Sequence, residues 1–150
     1  PLDELRLRAQ LEEFAIATKE AKHSWKHIDL TTSFSAWMMS QEYREAYFQS
    51  PVKLMRDKHG DITAFAEHLN AYLREEAEGS ADENTVFALS GLGSLFGLSH
   101  VSRIIDATKD KVKGRYLVFF PGDLRDNSYR FLDARDGWNY LALAITADEY

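Results

Sequence analysis

Short apolar runs alternate with helix-type periodicity along this chain of 150 residues. The clearest runs are residues 86–90 and 115–120, each bounded by turn-forming residues, and residues 25–30 (WKHIDL) predict a further short strand. Runs of this length and composition are typical of buried strands. Residues 62–73 carry large apolar side chains three and four positions apart, which predicts an amphipathic helix. Strands that are separated by helices join into a parallel sheet, so the sequence predicts an α/β fold with three layers, in which helices flank a mostly parallel sheet.

Helix-capping residues, glycines and prolines mark the ends of the remaining predicted helices and strands. We expect helices over residues 1–22, 33–48, 51–58, 61–79 and 98–108. Two more strands are expected at residues 129–133 and 138–146, and their closeness in the chain favours an antiparallel edge. Residues 1–150 are predicted to form one domain. Because such a domain usually opens with a strand, two alternatives arise: an initiator Met was removed before Pro1, or an upstream first strand is missing.

The composition disfavours several classes of protein. With 0 Cys, the chain has no disulfide, no thiolate metal site and no cysteine nucleophile, which is typical of a reducing compartment. No apolar run approaches the roughly 20 residues that cross a bilayer. The first ten residues also lack the apolar segment of a signal peptide. We therefore expect a cytoplasmic protein that does not contact a membrane.

The formal net charge of −6 disfavours a general nucleic-acid binder. Acidic residues are densest around residues 75–83, whereas residues 100–135 hold 8 basic and 5 acidic residues. Both segments are typical of solvated surface, and a mixed-charge surface also suits a protein partner. Aspartates alternate with the arginines after residue 120, which favours ion pairs over phosphate contacts. DNA is therefore expected only as an indirect partner.

A glycine-rich turn separates the strand at 86–90 from the following helix, where a phosphate-binding loop would lie. Its spacing departs by one residue from the G-x-G-x-x-G pattern and no Gly-Lys-Ser/Thr follows, which favours a tight strand-to-helix connection that needs glycine for the approach of the backbone. We take this turn, with basic and aromatic residues expected at the same end of the sheet, as a candidate site for a ligand or partner. The candidate residues are Gly91, Gly93, Ser94, Phe96, His100, Arg103, Pro121, Gly122 and Arg130.

No catalytic set stands out. Ser90 or Ser94 could combine with His100 and Asp123, but neither serine lies in the G-x-S-x-G pattern of a nucleophile elbow. Chains of this length offer such trios by chance. The sequence therefore predicts no enzymatic activity.

A metal site is not expected either. His23 and His27 are four residues apart, but they fall in or beside a predicted strand rather than on one face of a helix. Asp29 is the acid nearest to His27 in the sequence, and no HExxH pattern is present. We expect neither a metal nor a cofactor.

The predicted helix over residues 33–48 is apolar on more than one face. Such a helix is either buried in the core or covered by another molecule. Its aromatic residues and methionines are of types enriched at protein interfaces. The alternatives are core packing and a partner surface formed by Trp37, Met38, Met39, Tyr43 and Tyr47.

Residues 86–122 contain a longer pattern, in the stretches VFALSGLGSLFGLSHVSRIID and KGRYLVFFPGD. An apolar strand runs into a Gly-x-Gly-Ser turn, an apolar or aromatic pair and a helix follow, and a later strand ends in Phe-Pro-Gly. This pattern resembles the BrxB family of bacterial BREX (bacteriophage exclusion) defence systems. The matching positions are Gly91, Gly93, Ser94, Phe96, Val101, Phe119, Phe120, Pro121 and Gly122.

The resemblance implies a small cytoplasmic component of a bacterial phage-resistance system, without an established enzymatic activity. It implies protein partners in a defence complex, above all a PglZ-like protein with a phosphatase fold. In the family a strand precedes the proline that resembles Pro1, which implies the missing first strand. The alternative function from the residues alone is an α/β domain that binds a nucleotide or another anion at residues 91–97.

Overall fold

The computed structural model describes residues 2–52, 61–80, 82–120, 123–125, 128–130, 143 and 145. The helices are α1 (Leu2–Glu20), α2 (Ser33–Ser40), α3 (Arg44–Gln49), α4 (Asp61–Gly79) and α5 (Val101–Thr108). The strands are β1 (Ser24–Asp29), β2 (Thr85–Ser90), β3 (Arg115–Val118), β4 (Asp123–Arg125) and β5 (Ser128–Arg130). A short 3-10 turn, Leu92–Leu95, follows β2.

The centre of the fold is a parallel three-stranded sheet in the order β1-β2-β3. Ile28 of β1 pairs with Leu89 of β2, which pairs with Val118 of β3. All six residues of β2 are buried, as expected for a parallel strand covered on both faces. Both connections between these strands contain helices, so the predicted α/β fold with its parallel sheet is confirmed.

One face of the sheet packs against α2, α4 and α5. Phe87 and Leu89 lie on this face because alternate strand residues point the same way. The buried cluster there contains Ile28, Phe87 and Leu89 from the sheet with Trp37, Met38, Phe65, Leu69, Leu73, Ile104 and Ile105 from the helices. The helices bury a large apolar area together, which is the main source of stability for such a layer.

The first helix, α1, covers the opposite face. Val118 packs against the cluster just described, so the next residue, Phe119, faces the other way. The ring of Phe14 in α1 meets the ring of Phe119 edge to face, with centroids 5.5 Å apart. The N–H of Phe119 donates to the carbonyl of Leu89 at 2.9 Å, which continues the sheet past β3. Helices on both faces give the predicted three layers.

The prediction of one helix over residues 33–48 is wrong, because the helix ends at Ser40 and restarts at Arg44. The Ser40 hydroxyl and the Gln41 side-chain amide both donate to the carbonyl of Trp37, at 2.6 and 3.2 Å. The Arg44 guanidinium donates to the carbonyl of Met39 at 3.0 Å. Polar side chains thus satisfy carbonyls that a continuous helix would have used internally, and Gln41 leaves the helix in an extended conformation.

Other differences concern element ends. The last helix begins at Val101 rather than at residue 98, because the 3-10 turn and Gly97 with a φ of 77° precede it. Strands β4 and β5 pair antiparallel in a separate two-stranded sheet, and β4 lies in a segment where no strand was predicted. Most of the predicted helix at 51–58, and the predicted strand 138–146 apart from positions 143 and 145, lie outside the described residues. The additional first strand stays a prediction.

Candidate functional site

Two loops meet at the carboxyl end of the sheet, where ligand sites of α/β folds lie. The first loop links β1 to α2, and the second follows β2. In the first loop, a carboxylate oxygen of Asp29 accepts hydrogen bonds from the backbone N–H and the hydroxyl of Thr31, at 2.9 and 2.5 Å. These two hydrogen bonds fix the conformation of the first loop.

Gly91 permits this close approach of the two loops. Its φ is 74°, in the left-handed region. A Cβ at this position would lie 2.5 Å from the backbone nitrogen of Thr31 and 2.6 Å from the Asp29 carboxylate. Only glycine fits both the backbone conformation and the space. The interpretation of this glycine as a requirement for backbone approach is therefore confirmed.

The Ser94 hydroxyl also joins the two loops. Its Oγ lies 3.0 Å from the carbonyl of Leu30 in the first loop and 2.7 Å from the carbonyl of Gly91 in the second. The hydroxyl has one proton, so it is shared between the two acceptors. The Gly-x-Gly-Ser turn therefore uses this hydroxyl within the protein, as a connection between loops.

The other candidate ligand residues are spread along the chain after this turn. Gly93 lies in the 3-10 turn and its carbonyl accepts the N–H of Phe96 at 3.3 Å. Phe96, His100 and Arg103 are exposed, and His100 stands at the N-cap of α5 without a side-chain capping bond. Pro121 and Gly122 lie outside the described residues, and Arg130 is described only as the last backbone position of β5.

Ser90 pairs with His27, a partner that the sequence did not indicate. His27 Nε2 and the Ser90 hydroxyl are 2.8 Å apart, across neighbouring strands. The Ser90 residue is only 4% exposed, so a substrate could not reach its oxygen in this conformation. The pair resembles a cross-strand connection rather than a nucleophile and its base. The possible catalytic trio in the sequence combined Ser90 or Ser94 with His100, and not with His27.

The imidazole of His27 has a lowered pKa. Partial burial of the ring lowers the pKa of His27, and the negative charge of Asp29 opposes this shift. The neutral imidazole is thus favoured at pH 7. Depending on its tautomer, Nε2 either accepts a hydrogen bond from the Ser90 hydroxyl or donates one to the Ser90 oxygen.

Replacement of His27 with Gln is expected to make the protein less sensitive to acid. Since the folded pKa lies below the unfolded value of about 6.5, the unfolded chain takes up the proton first as the pH falls. Wild-type stability therefore begins to fall as the pH drops below about 6.5 and continues to fall until the lower folded pKa is passed, whereas Gln bonds to Ser90 without titrating. Urea unfolding at neutral pH and at mildly acidic pH measures this, and an unchanged pH dependence in His27→Gln would contradict the assignment.

His23 and His27, for which no metal site is predicted, have separate hydrogen-bond partners. His23 Nδ1 contacts the side-chain oxygen of Asn84, whereas His27 contacts Ser90. Within the described ranges, no group of three or more His, Cys, Asp or Glu residues could hold a metal ion.

The acidic and basic segments of the chain contact each other. Lys111, from the basic segment, lies 2.6 Å from Glu78, from the acidic segment, and its hydrogen bond and charge lower the pKa of Glu78. Lys26 of β1 pairs with Glu76 in the same way, at 2.5 Å. These exposed pairs add little stability. Because their charges are paired within the chain, they offer less of the mixed-charge surface to a partner.

The predicted partner surface separates into a buried and an exposed part. Trp37 and Met38 belong to the core, at 7% and 4% exposure, so their assignment to a partner surface is wrong. The face of α2 that carries them turns toward α4, where Trp37 meets Phe65 with ring centroids 5.5 Å apart. Tyr47 is half-buried against the same core.

Met39 and Tyr43 lie on the surface. Phe48 and Val52, which were not among the predicted partner-surface residues, are exposed beside them in the sequence. We call residues 39–52 the exposed segment. Tyr43 is 69% exposed and Phe48 is 65% exposed, and Met39 and Val52 are also more than half exposed. Phe48 was missed because helical periodicity alone could not show which face of the short helix α3 is outward.

None of the described helices is long and apolar enough to cross a membrane. Comparison of the chain with models of protein families, with curated proteins and with solved structures gives no match.

Proposed function

We propose that this chain is a non-enzymatic, protein-binding module of a BREX-type phage-defence system. In this proposal it binds other proteins of the system, above all a PglZ-like protein with a phosphatase fold. The exposed segment, which presents Met39, Tyr43, Phe48 and Val52 to solvent, is the observation that carries the proposal. The similarity of residues 86–122 to the BrxB family supports the choice of system.

The exposed segment stands out from the rest of the surface. Of the nine large apolar residues that are exposed in the described part of the chain, four lie within residues 39–52. Single exposed apolar residues are ordinary, but a local concentration is typical of interaction sites. Tyrosine, phenylalanine and methionine are also enriched at the centres of protein interfaces. The surface thus suits a protein partner better than a small charged ligand.

A nucleotide- or anion-binding domain is the alternative. That function would use the turn at residues 91–97, whose Ser94 hydroxyl and Gly91 backbone instead contact Leu30 and Thr31. Within the turn, the N–H of Ser94 donates to the carbonyl of Gly91 at 3.1 Å and the N–H of Phe96 donates to the carbonyl of Gly93 at 3.3 Å, so these two groups already have partners in the protein. These contacts favour the protein-binding module.

Millimolar ATP, NAD or phosphate is expected to leave the melting temperature unchanged. A ligand at 100 times its Kd would add about 2.7 kcal/mol to the free energy of unfolding, which a thermal scan detects easily. A rise in Tm with one of these ligands, abolished by Ser94→Ala, would establish the alternative.

The biological test is deletion of the gene, followed by measurement of phage plating efficiency. We expect plating to rise toward that of a strain without the defence system, and to fall again when the wild-type gene is restored. Complementation with a Tyr43→Ala, Phe48→Ala variant is expected to fail. Unchanged phage resistance after deletion would reject the proposal.

A further inference from the structure

We infer that Ser94 and Gly91 are positioning residues for the exposed segment: they fix the start of α2 and thereby the direction in which α2 presents Met39 and the residues after it. This inference rests on the proposed function, since it assigns the Gly-x-Gly-Ser turn to partner recognition through α2 rather than to a ligand.

The two loops and α2 meet at Leu30. Leu30 is fully buried, and its N–H donates to the carbonyl of Ser90 at 3.0 Å. Its carbonyl accepts from the Ser94 hydroxyl at 3.0 Å and from the Ser33 hydroxyl at 2.8 Å. The backbone N–H of Ser33 also donates to this carbonyl, at 3.1 Å. One oxygen therefore links the turn after β2 to the first residue of α2.

Helix α2 has no conventional side-chain cap at its start. The N-cap residue is Thr32, and its side chain makes no capping hydrogen bond. A helix of eight residues is too short to be stable alone, so tertiary contacts must set its position. Gly91 adds one such contact, because its close approach to Thr31 holds the residue just before the N-cap.

Helix α2 connects its own start to the exposed segment. With a rise of about 1.5 Å per residue, Met39 lies roughly 9 Å along the axis from Ser33, so a tilt at the start displaces it. The carbonyl of Met39 accepts the guanidinium of Arg44, which couples the end of α2 to α3 and hence to Phe48. The turn after β2 and the exposed segment are thus connected through α2.

Hydrogen exchange of the isolated protein tests the connection. In Ser94→Ala, the amides of residues 33–40 are expected to exchange up to about fivefold faster, because the part of the shared Ser94 hydrogen bond that reaches Leu30, at most about 1 kcal/mol, is lost there. Ser94→Thr keeps the hydroxyl at an exposed position and is expected to restore the wild-type rates. Ser80→Ala is the matched control: its hydroxyl donates to the carbonyl of Ala77 at 2.8 Å, near the end of α4.

Binding of a purified PglZ-like protein from the same genome is measured with the same variants. We expect Ser94→Ala to weaken binding severalfold, and Ser94→Thr and Ser80→Ala to bind like the wild type. Wild-type exchange rates at residues 33–40 in Ser94→Ala, or faster exchange with undiminished binding, would overturn the positioning role. If the wild-type protein itself does not bind, the proposed function fails, and the exchange rates still decide whether Ser94 holds α2.

Discussion

A Tyr43→Ala, Phe48→Ala double variant is expected to bind its protein partner about 100-fold more weakly than the wild type. Both side chains are largely exposed, so their truncation removes contact area with the partner and little from the core. Aromatic residues of this kind each account for one to several kcal/mol when they fill a pocket of a partner. Titration calorimetry with a PglZ-like protein measures the change in Kd.

Tyr72→Ala is the matched control for this prediction. Tyr72 lies on α4, outside the exposed segment, and it is exposed as well. Its truncation is expected to leave the affinity unchanged. The melting temperature of each variant shows whether the fold is retained. Equal losses of affinity in Tyr72→Ala and in the double variant would mean that the exposed segment has no special part in binding.

The second large effect is expected for Gly91→Ala, which should lower the free energy of unfolding by about 2–5 kcal/mol. The left-handed φ costs roughly 1–2 kcal/mol for a residue with a side chain. The added Cβ would meet Thr31 and Asp29 within 2.6 Å, and relief of such overpacking costs roughly 1–3 kcal/mol more. Urea unfolding followed by far-UV circular dichroism measures the loss.

Gly97 provides the control for this substitution. Its φ of 77° is nearly that of Gly91, but no atom lies within 4 Å of the position that a Cβ would take. Gly97→Ala should therefore cost only the backbone term of roughly 1–2 kcal/mol. If both variants lose the same stability, the close approach of the two loops at Gly91 is not a feature of the protein in solution.

Much of the fold could be predicted because strands and helices differ in the period of their apolar residues. The run at residues 86–90 became the central strand β2, and the stripe through residues 62–73 became α4. The break of the helix near Gln41 was not predicted. It depends on side chains that cap carbonyls, and Ser40, Gln41 and Arg44 carry no signal in a pattern of apolar positions.

The candidate site was predictable only in part. The tight turn at Gly91 follows from the order of strand, glycine and helix, whereas its neighbour Thr31 is 60 positions away in the sequence and is brought near by the parallel register. The pairing of His27 with Ser90 depends on the same register. The apolar helix left two interpretations open, and both apply: Trp37 and Met38 are core residues, whereas Met39 and Tyr43 are on the surface.

The proposed function is tested most directly by calorimetric titration of the purified wild-type chain with the PglZ-like protein from the same genome, at physiological salt. We expect saturable binding with a micromolar or lower Kd, and its loss in the Tyr43→Ala, Phe48→Ala variant. Absence of binding by the folded wild-type protein, or binding that this double variant retains in full, would contradict the account.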